Sequence, residues 1–116
     1  MFENQENFLK FLLIILLIAL SFTFSPWVLA ADTANGAKIF SVQCAGCHVN
    51  GGNIVRRGKT LNKRALKRNG MDSEDAIASL VTNGKNNMSA FKDRLSANQI
   101  EDVSAYVLEQ AEKGWR

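Results

Sequence analysis

The sequence predicts an all-α fold. In residues 31–116, apolar residues recur at helical spacings of three and four, polar cap residues precede the apolar stretches, and Gly or Asn follows them. Alternation of apolar and polar residues, the pattern of a half-buried strand, is missing from this range. The 116 residues allow one domain, which we expect to contain about four helices.

The first thirty residues differ in composition from the remainder. An unbroken apolar run covers residues 11–20, Lys10 precedes it, and Ala30 ends the segment. This is the arrangement of a secretory signal peptide, and cleavage after Ala30 leaves residues 31–116 as the mature chain. The alternative is an uncleaved membrane anchor, because residues 8–30 are long enough to span a bilayer.

The first helix of the mature chain is predicted to begin after Asp32, because Asp is a preferred N-cap residue. Its buried side is predicted to carry Ile39, Phe40 and Val42. The helix then runs directly into Cys44.

Residues 44–48 have the spacing C-x-x-C-H, which is typical of a c-type haem attachment site. Two thiols three residues apart lie close together on one helical turn, so Cys44 and Cys47 are able to reach both vinyl groups of one haem. The adjacent His48 is then placed to bind the iron. The chain holds 2 Cys and 1 His in total, so no other residue competes for these roles.

Two other interpretations of the cysteine pair fit this sequence less well. A zinc site needs about four ligands, and the chain has no second pair of Cys or His residues. A thioredoxin-like disulfide is expected in a βαβ context, which this sequence lacks. Export also favours a haem, since thioether attachment generally occurs outside the cytoplasm. A covalent haem would add apolar surface and a cross-link to a small core.

Turn chemistry at residues 50–52, Asn-Gly-Gly, separates the motif from a short helix over residues 61–68. Asn69 and Gly70 are predicted to end that helix. Asp72 or Ser73 caps the next one, and Gly84 closes it. Its apolar stripe is made of Ala76, Ile77, Leu80 and Val81.

The last helix begins at a capping box formed by Ser96 and Gln99. We predict that it runs to about Glu112 and that Gly114 and Trp115 end it. Its apolar residues recur with a helical period: Ile100, Val103, Tyr106, Val107 and Leu108.

Met88 is the predicted second axial ligand of the iron. A methionine in that position stabilises the ferrous state and raises the potential, which suits an electron carrier. Met88 lies in a polar loop, where a lone apolar side chain has little packing reason, whereas Met71 stands beside a helix start. The alternative for either residue is a gap-filling role in the core.

Residues 31–116 resemble the cytochrome c6 family, which comprises soluble electron carriers of cyanobacteria and algal plastids. A generic c-type cytochrome would match only the haem site and a few helix contacts, whereas here the matching segments extend along the whole range. They are residues 35–40, 44–48, 50–53, 59–61, 81–85, 100–103, 106–108 and 110–115.

The resemblance implies a class I cytochrome c fold packed around one covalently bound haem, with residues 31–116 as the cytochrome domain. It implies that Cys44 and Cys47 carry the haem, with His48 as proximal and Met88 as distal ligand of the iron.

The resemblance also implies that the first and last helices cross, with Gly36 and Phe40 meeting Tyr106. Lys59 and Arg94 are expected to contact the haem propionates; the alternative is that both are surface cations.

Family members carry electrons from the cytochrome bf complex to photosystem I in the thylakoid lumen, and some feed a terminal oxidase. By resemblance, we expect an exported monomeric carrier, not an enzyme, in the thylakoid lumen or periplasm.

Two residues depart from the family pattern. The family's Met-Pro-Ala-Phe loop has Ser89 in place of the proline, which removes a restriction on the backbone of Met88. Many photosynthetic members have a glutamine at the position of Leu80, close to the haem. Because nearby polar groups tune the potential, these departures indicate a c6-like paralogue with a shifted potential.

Residues 56–68 hold seven of the 14 Lys and Arg residues of the chain. They are Arg56, Arg57, Lys59, Lys63, Arg64, Lys67 and Arg68. One interpretation is a solvated helix face, and the other is a docking patch that steers an acidic partner. Nucleic acid is the less suitable partner because the chain is expected to be exported.

The sequence thus favours a mobile electron carrier and leaves two alternatives open. A ligand-binding or sensing haem protein would follow if Met88 leaves the iron. A membrane-tethered carrier would follow if the N-terminal segment is not cleaved.

Overall fold

A computed structural model describes residues 2–22 and 29–116. Within these ranges helices account for all regular structure except one isolated β-bridge, which confirms the all-α prediction. The helices are α1 (Phe2–Ser21), α2 (Thr33–Gln43), α3 (Lys63–Arg68), α4 (Glu74–Asn83) and α5 (Ala97–Lys113). Two short 3-10 turns lie between α2 and α3, at Val49–Gly51 and Arg57–Lys59.

Helix α1 contains the apolar run of the N-terminal segment. It is 20 residues long, an 18-residue window within it has a mean hydropathy of 1.4, and none of its residues is buried. Its length and composition allow it to cross a membrane, and a signal sequence meets the same criterion. Residues 23–28 of the predicted signal segment lie outside the described residues, whereas Leu29 and Ala30 are exposed.

Helices α2 and α5 cross in direct backbone contact at Gly36. A Cβ at Gly36 would lie 2.1 Å from the carbonyl oxygen of Asp102 and 2.8 Å from Cβ of Tyr106. The Phe40 and Tyr106 rings pack beside this contact with centroids 5.5 Å apart. The predicted meeting of Gly36 and Phe40 with Tyr106 is therefore confirmed.

The core joins α2, α3, α4, α5 and the segment that connects the last two helices. It is made of Ile39, Phe40, Leu66, Ile77, Val81, Phe91, Leu95, Ile100, Val103, Val107 and Ala111. The prediction that Val42 is buried is wrong, since 79% of it is exposed. At about 100° per residue, Val42 is rotated by about 120° from Gly36, away from the side that faces α5.

The helix starts follow the predicted caps with small shifts. The Asp32 carboxylate accepts a hydrogen bond from the Asn35 backbone N–H, and Ser73 rather than Asp72 caps α4. The capping box of Ser96 and Gln99 is present at the start of α5. Helix α3 begins two residues later than predicted, because Asn62 accepts from the Ala65 N–H and caps it.

Candidate haem site

The haem motif forms one compact turn directly after α2. The Cys44 N–H donates to the Phe40 carbonyl oxygen at 2.9 Å, so the first cysteine still belongs to the helix end. The Cys44 carbonyl oxygen then accepts from the N–H groups of Cys47 and His48 at 3.1 and 2.9 Å. These bonds hold the three functional side chains on a single turn.

The two thiols have different surroundings. Cys44 is partly buried against the core, and Cys47 is exposed. Burial raises the pKa of the Cys44 thiol to about 11, so that thiol stays protonated at neutral pH. Redox-active cysteine pairs have a lowered thiol pKa instead. The environment of Cys44 therefore gives no sign of an activated thiol at this position.

The His48 ring is oriented by a backbone carbonyl. Its Nδ1 lies 2.8 Å from the Gly52 carbonyl oxygen. Because a carbonyl oxygen only accepts hydrogen bonds, Nδ1 carries the proton and Nε2 keeps its lone pair. Metal-binding histidines are commonly held in this way. The sequence motif predicted His48 as an iron ligand but did not predict which group its Nδ1 bonds to. The turn-forming Gly-Gly pair at residues 51–52 was the sequence feature that pointed to a backbone acceptor nearby.

The loop after α4 holds Met88 through its backbone. The N–H and carbonyl of Met88 both bond to Lys85, each at 3.0 Å. A Cβ at Gly84, whose φ is +68°, would lie 2.6 Å from the Met88 carbonyl oxygen. The Phe91 N–H donates to the Val81 carbonyl oxygen at 2.9 Å, which closes the loop onto α4.

Both candidate methionines are partly buried against the core. The sequence argument that Met88 lacks a packing reason in its loop is therefore wrong. The backbone of Met71 follows α3, where its N–H donates to the Leu66 carbonyl oxygen at 2.8 Å. The choice of Met88 over Met71 as the axial ligand stays a prediction.

Lys59 and Arg94 lie in different elements with separate partners. The Lys59 ammonium donates to the Asn69 side-chain oxygen at 2.6 Å. The Arg94 guanidinium lies over the Phe91 ring, 4.3 Å from its centroid. Their predicted contacts with haem propionates stay predictions. The two departures from the family pattern differ in burial: Leu80 is half-buried, whereas Ser89 is exposed.

The donor set of this region fits a haem better than a zinc ion. Among residues 2–22 and 29–116, no three His, Cys, Asp or Glu side chains converge as a metal site requires. The haem motif instead offers two thiols on one turn and an imidazole with an oriented Nε2, and the thioethers of Met71 and Met88 pack against the same core as Cys44. Thiols for covalent attachment with His and Met for the iron are the ligands of c-type haems.

Comparison with known proteins gives concordant matches. A family model described as cytochrome C oxidase, cbb3-type, subunit III matches residues 31–107. A cytochrome c6-like protein from a Nostoc species is 62% identical over 112 residues, covering 97% of this chain and 100% of the relative. A cytochrome c6 from Thermosynechococcus vestitus is 59% identical over 98 residues, covering 84% of this chain and 88% of the relative.

A solved structure agrees with these sequence matches. The crystal structure of cytochrome c6C from a Synechococcus species superposes with a TM-score of 0.67 at 61% identity, covering 68% of this chain and 96% of that one. The fold is therefore the class I cytochrome c fold, as the sequence resemblance implied. With close relatives aligned over nearly its whole length, the chain belongs to the cytochrome c6 family of electron-transfer proteins, which carry one covalently bound haem c.

Proposed function

We propose that this cytochrome carries single electrons with a haem held by Cys44, Cys47, His48 and Met88. The observation that carries the assignment is the hydrogen bond from His48 Nδ1 to the Gly52 carbonyl, which leaves Nε2 as a ligand beside two thiols. The bound haem supplies a one-electron iron couple. The chain attaches it, ligates the iron and shields it from water.

Cys44 and Cys47 have the roles of covalent anchors. Cys44 is partly buried at the end of α2, so its thioether ties the haem to the core, whereas Cys47 provides an exposed attachment. In this assignment His48 and Met88 would both bind the iron. No position is then open for a substrate, which suits electron transfer.

The first prediction concerns the sixth ligand. Met88→Ala in the holoprotein removes the thioether, so we expect loss of the charge-transfer band between methionine sulfur and ferric iron. Met71→Ala, the matched control for a second partly buried methionine, should retain that band. Visible absorption of the oxidised variants measures both. A band that survives in Met88→Ala, or disappears only in Met71→Ala, would refute the assignment.

A ligand-binding haem protein is the second candidate, and Ser89 is the residue that favours it. Serine leaves the backbone of Met88 without the restriction that a following proline imposes. The paired bonds of Met88 with Lys85 oppose release of the side chain. We therefore expect slow binding of carbon monoxide to the reduced protein at neutral pH. Rapid binding in a stopped-flow experiment would favour the sensor.

We further propose that the protein is exported to the thylakoid lumen or periplasm, where it accepts electrons from a cytochrome bf complex and donates them to photosystem I or a terminal oxidase. The apolar, unburied helix α1 supports a signal peptide, and the exposed Leu29 and Ala30 support cleavage after Ala30. N-terminal sequencing of the purified protein tests this. A chain that still begins at Met1 would instead be a membrane-tethered carrier.

A further inference from the structure

The penultimate residue, Trp115, touches the loop that follows the haem motif. Its indole Nε1–H donates to the Leu61 carbonyl oxygen at 2.9 Å, and the Leu61 N–H donates to the Gly51 carbonyl oxygen at 2.7 Å. A Cβ at Gly51 would lie 2.4 Å from two carbon atoms of the indole, so the ring lies directly on the Gly51 backbone. Trp115 therefore holds Gly51 both directly and through Leu61.

Gly51 directly precedes Gly52, whose carbonyl oxygen accepts the hydrogen bond from His48 Nδ1. The Gly52 carbonyl oxygen lies 2.8 Å from His48 Nδ1, and the Gly51 N–H donates to the His48 carbonyl oxygen at 3.0 Å. Gly51 has a φ of +74°, which a residue with a side chain rarely adopts. A displacement of the Gly51 backbone would consequently displace the oxygen that orients the imidazole.

Trp115 is itself anchored to two helices. Its N–H donates to the Gln110 carbonyl oxygen at 2.9 Å. Its ring centroid is 5.1 Å from that of Phe40 and 6.1 Å from that of Tyr106. The φ of Trp115 is +59°, a left-handed conformation that a bulky residue keeps only when its surroundings hold it.

We propose that Trp115 is a positioning residue for His48. Its ring packs on the turn at Gly51 and fixes that turn next to the end of α5. The fixed turn keeps the Gly52 carbonyl oxygen within hydrogen-bond distance of His48 Nδ1. A hydrogen bond at Nδ1 makes the imidazole a stronger donor at Nε2, which favours the ferric state and lowers the midpoint potential. The last residues of the chain would thereby tune the potential. This inference rests on the proposed role of His48 as proximal ligand.

The test uses two variants of the full-length holoprotein, Trp115→Ala and Trp115→Phe. The first removes both the ring cover and the hydrogen bond to Leu61, and the second keeps a ring but removes the hydrogen bond. We expect Trp115→Ala to raise the midpoint potential and to accelerate exchange of the His48 Nδ1 proton by roughly tenfold or more. Trp115→Phe should change both in the same direction by less. Spectroelectrochemical titration and NMR of the reduced protein measure them.

Leu108→Ala is the matched control, because Leu108 on α5 is, like Trp115, a partly buried side chain packed against the core. It should lower the stability without changing the potential or the proton exchange. Wild-type values of both readouts in the Trp115 variants, with stability lowered as in the control, would overturn the proposal. If Trp115→Ala does not fold, the midpoint potential and proton exchange of Trp115→Phe are compared with the wild type in the same way, and wild-type values overturn the proposal.

Failure of the proposed function and failure of the positioning role give different experimental results. If the His48 ring resonances of the wild-type holoprotein lack the large shifts of an iron ligand, the proposed function fails and the positioning role with it. If those shifts are present but the Trp115 variants leave potential and exchange unchanged, only the positioning role fails.

Discussion

At the scale of single residues, two glycines with positive φ differ in the space around them. Gly70 and Gly84 both have a positive φ, of +67° and +68°, and Gly84 also has a ψ of 173°, a combination that is essentially confined to glycine. A Cβ at Gly70 would meet nothing within 4 Å, whereas one at Gly84 would lie 2.6 Å from the Met88 carbonyl oxygen and the Ala90 nitrogen. Gly84 is therefore required both by its backbone conformation and by the close approach of the Met88 loop.

We predict that Gly70→Ala lowers the free energy of unfolding by about 1 kcal/mol, the cost of placing alanine in a left-handed conformation. Gly84→Ala should cost more, by a further ~1–3 kcal/mol, because its backbone conformation is essentially confined to glycine and because the Met88 loop has to shift. It should also weaken the methionine–iron band. Denaturant unfolding and visible spectra check both effects. If both variants lose the same stability and keep the methionine–iron band, the contact between Gly84 and the Met88 loop does not contribute to either property.

Leu80 is the residue at which the family resemblance implies a difference in polarity near the haem. It is half-buried on α4, where a glutamine side chain would bring an amide dipole. We predict that Leu80→Gln changes the midpoint potential, whereas Ser79→Gln, on the exposed neighbouring position, leaves it unchanged. Redox titration compares the variants. Indistinguishable midpoints for wild type and Leu80→Gln would rule out position 80 as a tuning site.

At the scale of elements, the contact between α2 and α5 requires a glycine at position 36, because any side chain there would collide with α5. Asp102 reinforces this contact, because its carboxylate accepts hydrogen bonds from the Asp32 N–H at 2.7 Å and the Asn35 side-chain amide at 2.8 Å. The haem motif begins where α2 ends. The position of this helix on α5 therefore determines where the cysteines and His48 lie.

We predict that Gly36→Ala separates α2 from α5, because its Cβ would lie 2.1 Å from the Asp102 carbonyl oxygen. Overpacking of this kind costs about 1–3 kcal/mol or more. Gly58→Ala is the control, since a Cβ there would meet nothing within 4 Å, and it should change stability by less than about 0.5 kcal/mol. Thermal unfolding of the holoproteins measures the difference. A Gly36→Ala variant as stable as Gly58→Ala would contradict the backbone contact.

At the scale of the whole molecule, the basic segment 56–68 is partly used within the fold. Lys63 pairs with Glu112 at 2.8 Å, Lys59 bonds to Asn69, and Arg68 donates to the Gly58 carbonyl oxygen at 3.3 Å. The other four cations of the segment are exposed and have no such partner among the described residues. They are Arg56, Arg57, Arg64 and Lys67.

We predict that these four cations steer an acidic redox partner. The electron-transfer rate should fall with added salt, and the double variant Arg64→Glu/Lys67→Glu should be slower than wild type at low ionic strength only. Lys38→Glu/Lys92→Glu, with the same charge change at exposed sites outside the segment, should have a smaller effect. Laser-flash kinetics measures the rates. If the electron-transfer rate does not depend on salt, or if both double variants slow it equally, segment 56–68 is a solvated helix face and not a docking patch.

The sequence by itself determined the local features of this protein. The caps at Asp32, Ser73 and Ser96 and the haem motif at residues 44–48 were readable because each signal is contained in a few consecutive residues. The family resemblance supplied the crossing of α2 and α5 at Gly36, which the structure confirms.

Only the tertiary structure decided which side chains meet across the chain. It exposed Val42, packed Met88 against the core, and laid Trp115 on Gly51. The partners in the last contact are separated by most of residues 31–116, so no local pattern encodes their meeting. Their contact depends on how α2 and α5 pack, and that packing determines the surroundings of the proposed His48 ligand.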